Sequence, residues 1–446
     1  MMDPVEAWHG LLTDQLAADS HGMLEEQLRR RGLVFGSRPL CTVLRPRFMT
    51  PAAWRRLQQR VRLLLGAFRR AYDAALQDRA LRAQFRLADW EEELLQVDPG
   101  FAGASPTSRL DLFLHGDGMA LTEYNAETPA GAAYNDALAE AFQDLPIMRA
   151  FARRWEVQPM LARHGVLHVL LDAWEQWSGG RTPPRIAIVD WPDVPTRSEF
   201  VLYRDFFAGL GLECVIVEPA ELEYGGGRLS AAGGTVDLVY KRVLLTELVQ
   251  RGGLDQPLIR AVRDRAVCMV NGFRCKLLHK KASLAVLSDE RSARLFRPEE
   301  LEAIRAFVPW TRVVEERRTV FHDEPVDLTA FMTANRERLV LKPNDDYGGA
   351  GIVLGWEVDG SAWEQAMRVA LDAPYIVQER VAIPAEPFPS LIEGRVQVLP
   401  RMLDTAPFVS HEDYAVGCLT RLSTAALLNV TAGGGSTVPA FLVEER

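Results

Sequence analysis

Two short stretches of the chain place carboxylates, an amide and a guanidinium at strand spacing. Arg109 and Asp111 lie two apart in an alternating run that ends at His115. After a glycine turn at 116–118, a second run brings Glu123, Asn125 and Glu127, followed by Thr128 and Pro129. Residues two apart on a strand share a face. Pairing the two runs therefore gathers Arg109, Asp111, Glu123, Asn125 and, if the second strand continues, Glu127. Such oxygen donors suit Mg²⁺, which commonly bridges to substrate phosphates, and Arg109 offers positive charge for a phosphoryl group in transfer. The plain alternative is a solvated hairpin face with a surface ion pair.

A second cluster begins at Lys342, where an apolar strand meets a loop containing Gly348, Gly349 and Gly351. Glycines let backbone N–H groups approach phosphates closely, and the lysine supplies a point charge. The loop lacks the G-x-x-x-x-G-K-[ST] pattern, so it is not a P-loop, and a flexible hairpin is its plain reading. Lys280 and Lys281, ahead of an apolar run, offer a further phosphate lysine or simply a solvated helix start. The apolar run 375–377 leads into Gln378, Glu379, Arg380 and Val381, where a strand backbone could read an adenine edge; taken alone it is a buried strand. In the tail, Arg421 suits a phosphate, Asn429 a metal or nucleotide shell, and the glycines at 433–435 close backbone approach.

These groups need a scaffold, and 446 residues with 48% hydrophobic content supply two or three packed lobes. Apolar residues recur at helical spacing through the first hundred residues, as in Leu57, Val61, Leu64, Leu65 and Phe68. The carboxylate-bearing hairpin follows, then a helical stretch over 130–176. Beyond the Gly- and Pro-rich linker 178–184, strands at 185–190, 213–217, 236–240 and 267–270 alternate with helical segments, which predicts a mainly parallel sheet. Strands are also expected at 338–342, 375–379 and 395–399. The resulting division is a helical region 1–100, the hairpin and its helices 101–177, a Rossmann-like region 178–275 and nucleotide-binding lobes 276–446.

Other chemistries lack their markers. The net charge of −9 is dispersed, so no basic footprint for nucleic acid is present. No apolar run approaches the ~20 residues of a membrane span, and the polar stretch Met1 to Gly10 shows no charged region ahead of an apolar one, so a cytoplasmic location is expected. Five scattered cysteines without C-x-x-C spacing read as reduced thiols. There is no G-x-S-x-G elbow, no H-E-x-x-H, and no G-x-G-x-x-G after the strand at 185. His164 and His168, one helical turn apart, read as a helix face rather than a metal pair.

Taken in this order, the motifs resemble the circularly permuted ATP-grasp family related to glutathionylspermidine synthase, in which the metal hairpin precedes the nucleotide lysines. The R-x-D, then E-x-N-x-[DE]-T-P pattern is complete here as Arg109, Asp111, Glu123, Asn125, Glu127, Thr128 and Pro129. The resemblance implies an α/β, circularly permuted ATP-grasp fold with a Rossmann-like pre-ATP-grasp region and a helical N-terminal part. It implies ATP and Mg²⁺ as cofactors, with Asp111, Glu123 and Asn125 as magnesium ligands and Arg109 as the arginine that stabilises the phosphoryl group. Lys281 and Lys342 would be the ATP-phosphate lysines, Gln378 to Val381 the adenine hinge, and Arg421 a late active-site arginine. The implied reaction joins a small-molecule or peptide carboxylate to an amine through an acyl phosphate, releasing ADP and phosphate. The alternatives are an ATP-dependent small-molecule kinase and a nucleotide-binding pseudoenzyme that serves as a partner-binding module. No run matches the glutathione or spermidine sites or the amidase domain of some relatives. The acid, the amine and the oligomeric state stay open.

Overall fold

A computed structural model describes residues 2–346, 348–425 and 435–446. The N-terminal helices start where a polar side chain accepts their free amides: Asp3 caps Pro4–Leu11, Thr13 caps Asp14–Arg30, and Thr50 caps Pro51–Gln77. The last of these buries Trp54, Leu57, Val61, Leu64, Leu65 and Phe68 at three- and four-residue spacing. That stripe packs behind the carboxylate-bearing hairpin, in one core with Leu110, Leu112, Leu121 and Tyr124. The Phe68 and Tyr124 rings stand 4.6 Å apart. Because strand side chains alternate, seating Leu110 and Leu112 on this helix turns Arg109 and Asp111 to the opposite face.

The hairpin, Thr107–His115 with Gly118–Asn125, is the edge of a nine-stranded sheet. Ala406–Ser410 pairs antiparallel with Thr107–His115, placing Phe408 opposite Arg109. Tyr414–Ser423 comes next and carries Arg421. Ser436–Glu445 pairs with that strand, with Arg47–Met49 in parallel, and with Trp155–Pro159. The last pairing corrects the helical reading of 130–176, which is interrupted by a strand. Trp-Glu-Val-Gln-Pro alternates, but its partner lies at the far end of the chain, so no local pattern announces it.

The second layer system is the expected parallel sheet. Ile186–Val189 and Leu238–Lys241 are its centre, flanked by Cys214–Val217 and Cys268–Val270, and every pairing is parallel. Its central strand is apolar throughout because both faces are covered. Ile186 and Ile188 pack with Phe200, Tyr203 and Phe207, while Ala187 and Val189 pack on the other side with Leu245, Leu248 and Ile259. A third sheet pairs Leu339–Pro343 antiparallel with Tyr375–Glu379, which pairs in turn with Thr311–Val313. Among the described residues no helix is long and apolar enough to cross a membrane.

Candidate active site

The hairpin register pairs Arg109 with Asn125 and Asp111 with Glu123, then slips, so that Leu112 faces Leu121 and Thr122 is the extra residue of a bulge. A bulge bends its strand and re-aims what it carries. Here the Thr122 hydroxyl donates to the Asp111 carbonyl at 3.0 Å, and the Thr122 carbonyl accepts from Lys342 Nζ at 3.2 Å. The glycine-loop lysine is thereby brought to the carboxylates.

Asp111 is the centre of the charge arrangement. Arg109 donates to both its oxygens, from Nε to Oδ1 at 2.9 Å and from Nη2 to Oδ2 at 3.2 Å. Asn125 Nδ2 donates to Oδ2 at 2.9 Å, and Arg421 Nη2 does so at 2.6 Å. Burial pushes the Asp111 carboxyl up, yet Arg109 and Arg421 overcome it and hold the group at about 2. Glu123 is likewise raised by burial but brought below its usual range by Lys281, whose Nζ lies 3.0 Å from Oε1. Lys342 is pushed down to about 8 by burial, only partly offset by Glu123. Its ammonium donates to Gln378 Oε1 at 2.7 Å, while Gln378 Nε2 donates to Thr311, which fixes the amide.

One pocket unites these groups. It is lined by Asp111, Thr122, Glu123, Lys342, Gly348, Gly349, Gln378, Glu379, Arg380, Val381, Asp404 and Arg421, with Phe113, Val340, Ile352, Leu354, Trp356 and Ile383 as apolar wall. Gly348 and Gly349 have φ of +67° and +81°, a backbone that glycine adopts without strain. Gly351 shares that backbone, with φ of +67°, but lies off the pocket, and a Cβ there would meet Pro343 Cγ at 2.6 Å. At the strand end, the amides of Glu379 and Arg380 bond to Trp310 and Arg338 carbonyls, while among the described residues that of Val381 has no protein acceptor. Arg380 stacks over Trp356 at 4.3 Å.

Three expected site residues stand behind the pocket wall. Arg109 spends its guanidinium on Asp111 and on the Ala130 carbonyl, at 2.7 Å. Asn125 touches the site through Asp111, and Lys281 through Glu123 and the Asp346 carbonyl, at 2.6 Å. Asn429 lies outside the described residues. Asp404 is an addition that no motif announced. It is buried, and it holds Arg421 through Nε at 2.7 Å and through the Arg421 amide at 2.8 Å.

Glu127 requires a correction: it does not join Glu123 and Asn125. The strand ends at Asn125, the alternation lapses, and Glu127 turns into a separate buried cluster. There it accepts from Lys276 at 3.2 Å, Lys241 at 3.4 Å and the Leu245 amide at 2.6 Å. Lys276 also reaches Asp345 at 2.5 Å, and Lys280 reaches Glu91 at 2.8 Å. The adjacent lysines 280 and 281 thus serve different clusters. Glu127, His279 and Asp345 have cation-ligand spacing, but the Lys276 ammonium already supplies the positive charge between the two carboxylates. By tying Asp345 to Glu127, the cluster anchors the glycine-loop strand to the hairpin.

No family model and no curated protein matches the chain. The fold is similar to that of a glutathione synthetase-like effector from Globodera pallida, solved in its apo form. That match has a TM-score of 0.61 and 13% identity, and covers 99% of this chain and 98% of the other. A provisionally named gamma-glutamylcysteine synthetase from Methylobacillus flagellatus aligns over 89% of each chain at 12% identity with a TM-score of 0.43, too distant to carry an argument. The likeness to the first is one of fold along nearly the whole chain.

The donor set admits a definite group of ligands. Carboxylates at Asp111 and Glu123 suit a hard divalent cation. Lys342, Arg421 and the left-handed glycines suit phosphates, and the apolar wall beside a free amide at Val381 suits a flat heteroaromatic ring.

Proposed function

We propose that the protein is an ATP- and Mg²⁺-dependent carboxylate–amine ligase, built as a circularly permuted ATP-grasp fold. The observation that carries this reading is the convergence in one pocket of Asp111 and Glu123, Lys342 with Gly348 and Gly349, Gln378 to Val381, and Arg421, which come from four distant stretches of sequence. Asp111 and Glu123 would hold magnesium, with Asn125 and Arg109 orienting Asp111. Lys342 and the glycine loop would hold the phosphates, with Lys281 fixing Glu123, and the Val381 amide the adenine edge. ATP bound there with magnesium would supply the phosphoryl group that activates a carboxylate as an acyl phosphate, from whose acyl carbon an amine displaces phosphate to form the amide.

The residues supply what such a route needs. Arg421 and Lys342 face the space where charge develops, in a site whose partial burial strengthens each interaction. Gly348 and Gly349 line the pocket, where they would help shield the activated acid from water that would hydrolyse it. Calorimetry of ATP with the parent and Lys342→Ala tests the nucleotide part: binding that the substitution weakens by at least about tenfold is expected, and unchanged binding refutes the assignment. Release of free phosphate only when both an acid and an amine are supplied then separates a ligase from a kinase, which transfers phosphate to a single acceptor.

Two further outcomes follow. The Lys342 ammonium loses its proton as pH rises through about 8, so its contribution to ATP affinity is lost as pH rises past that value. An anionic ligand moves the loss upward, and Lys342→Ala flattens the profile; a Kd series from pH 6.5 to 10 reads both. The acyl phosphate is already activated, so no enzyme thiol is required. Burial pushes Cys268, Cys275 and Cys418 up to about 12 and Cys41 to about 11, leaving little thiolate to react. Turnover therefore survives iodoacetamide, and a stoichiometric loss on alkylation speaks against the route.

A further inference from the structure

The arrangement of Arg421 holds a conflict that the ligase reading alone does not resolve. Of the two Asp111 oxygens, Oδ1 accepts from Arg109 Nε at 2.9 Å, and Oδ2 accepts from Arg421 Nη2 at 2.6 Å, Asn125 at 2.9 Å and Arg109 Nη2 at 3.2 Å. A cation and a guanidinium cannot share one face of Oδ2. Arg421 has a second partner, however. Asp404 Oδ2 accepts its Nε at 2.7 Å and also contacts Nη2, and Asp404 Oδ1 accepts the Arg421 amide at 2.8 Å. The Asp404 amide in turn donates to the Arg421 carbonyl at 3.1 Å. Three of these four contacts do not involve the nitrogen that reaches Asp111.

Asp404 is itself fixed against the hairpin. Its neighbour Thr405 exchanges backbone hydrogen bonds with Leu112, at 2.8 and 3.0 Å, beside the bulge that follows Asp111. The carboxylate is buried, so its position is set by the sheet rather than by solvent. Withdrawing Nη2 from Asp111 then requires only a turn of the guanidinium about a tether that remains bonded, and the charge stays in the pocket.

We propose that Asp404 is a positioning residue which draws Arg421 off Asp111 and so opens Asp111 to a divalent cation, a role that rests on the ligase reading above. Without Asp404, Asp111 is the carboxylate left to Arg421, and the arginine competes with the metal. Mn²⁺, counted by electron paramagnetic resonance with a non-hydrolysable ATP analogue present, is the probe. Asp404→Asn and Asp404→Glu both weaken Mn²⁺ binding by about tenfold. The glutamate keeps the charge and loses the geometry. In an Arg421→Ala background, where there is no competitor, neither substitution has an effect.

An Asp404→Glu variant that binds Mn²⁺ like the parent shows that Asp404 acts through charge alone and overturns the proposal. So does a persistent loss in the Arg421→Ala background, which would make Asp404 a metal ligand itself. If the Asp404 variants do not melt like the parent, Arg421→Ala alone carries the test: Mn²⁺ binds more tightly than in the parent, and equal or weaker binding overturns the proposal. A parent that binds no Mn²⁺ with the nucleotide defeats the ligase reading and this role together, whereas a parent that binds it and an indifferent Asp404→Glu defeat this role only.

Discussion

Replacing Lys276 by methionine destabilises the fold by about 3–5 kcal/mol, the cost of leaving a buried charge without its partner. Lys276 is the hub of the internal cluster, within 2.5 Å of Asp345, 3.2 Å of Glu127 and 3.6 Å of Glu91. Burial disfavours its ammonium, yet Glu127 and Asp345 raise its pKa above the usual lysine value, and the same contact with Lys276 holds Glu127 below the usual carboxylate range. Methionine fills the space but donates nothing. Glu127 then keeps Lys241 and the Leu245 amide, Glu91 keeps Lys280, and Asp345 keeps Thr246 and a distant Lys280. Urea unfolding should show a lowered midpoint at an unchanged slope. Adding Glu127→Gln recovers part of the loss, because the uncompensated charge is gone. A midpoint shift worth under about 1 kcal/mol would place the cluster in a far more polar setting than its burial indicates.

The same cluster shows how far sequence reaches in this protein. The hairpin was legible because strand alternation is local: Arg109 with Asp111, and Glu123 with Asn125, share a face whatever packs behind them. The parallel sheet was legible for a similar reason, since Ile186–Val189 is an unbroken apolar run between turn signals. Alternation extended one step too far gave Glu127 to the wrong cluster, because parity holds only while the strand lasts, and this strand stops at Asn125. Trp155–Pro159 and Asp404 were hidden because what defines them is distant. The one is a strand by virtue of Ser436–Glu445, and the other is a site residue by virtue of Arg421 and the hairpin. Among the three loop glycines, spacing could not separate two that line the pocket from one, Gly351, that avoids Pro343.

Asp111→Asn carries the largest expected effect on activity. The substitution preserves shape and one oxygen but leaves Arg109 and Arg421 short of a buried anion, so a lower melting temperature is expected and the comparison is made below it. It removes the charge that Arg109 and Arg421 both address, and with it the hard anionic donor a divalent cation requires. Loss of turnover on the order of 10²–10³-fold is expected, as for other groups that organise transition-state charge. Free nucleotide should still bind, because Lys342, Gly348, Gly349 and the strand end at Gln378 to Val381 are untouched. The diagnostic is therefore a split: affinity for ATP without metal stays near that of the parent, and the gain that Mg²⁺ normally gives is lost. Asp117→Asn is the control, an exposed acid at the turn of the same hairpin whose carboxylate accepts from Arg56 and whose carbonyl accepts from Arg60, and it should change neither quantity. If Asp111→Asn kept its magnesium dependence, the carboxylate would be a structural clasp for two arginines, and the metal would have to rest on Glu123 and Asp404 instead.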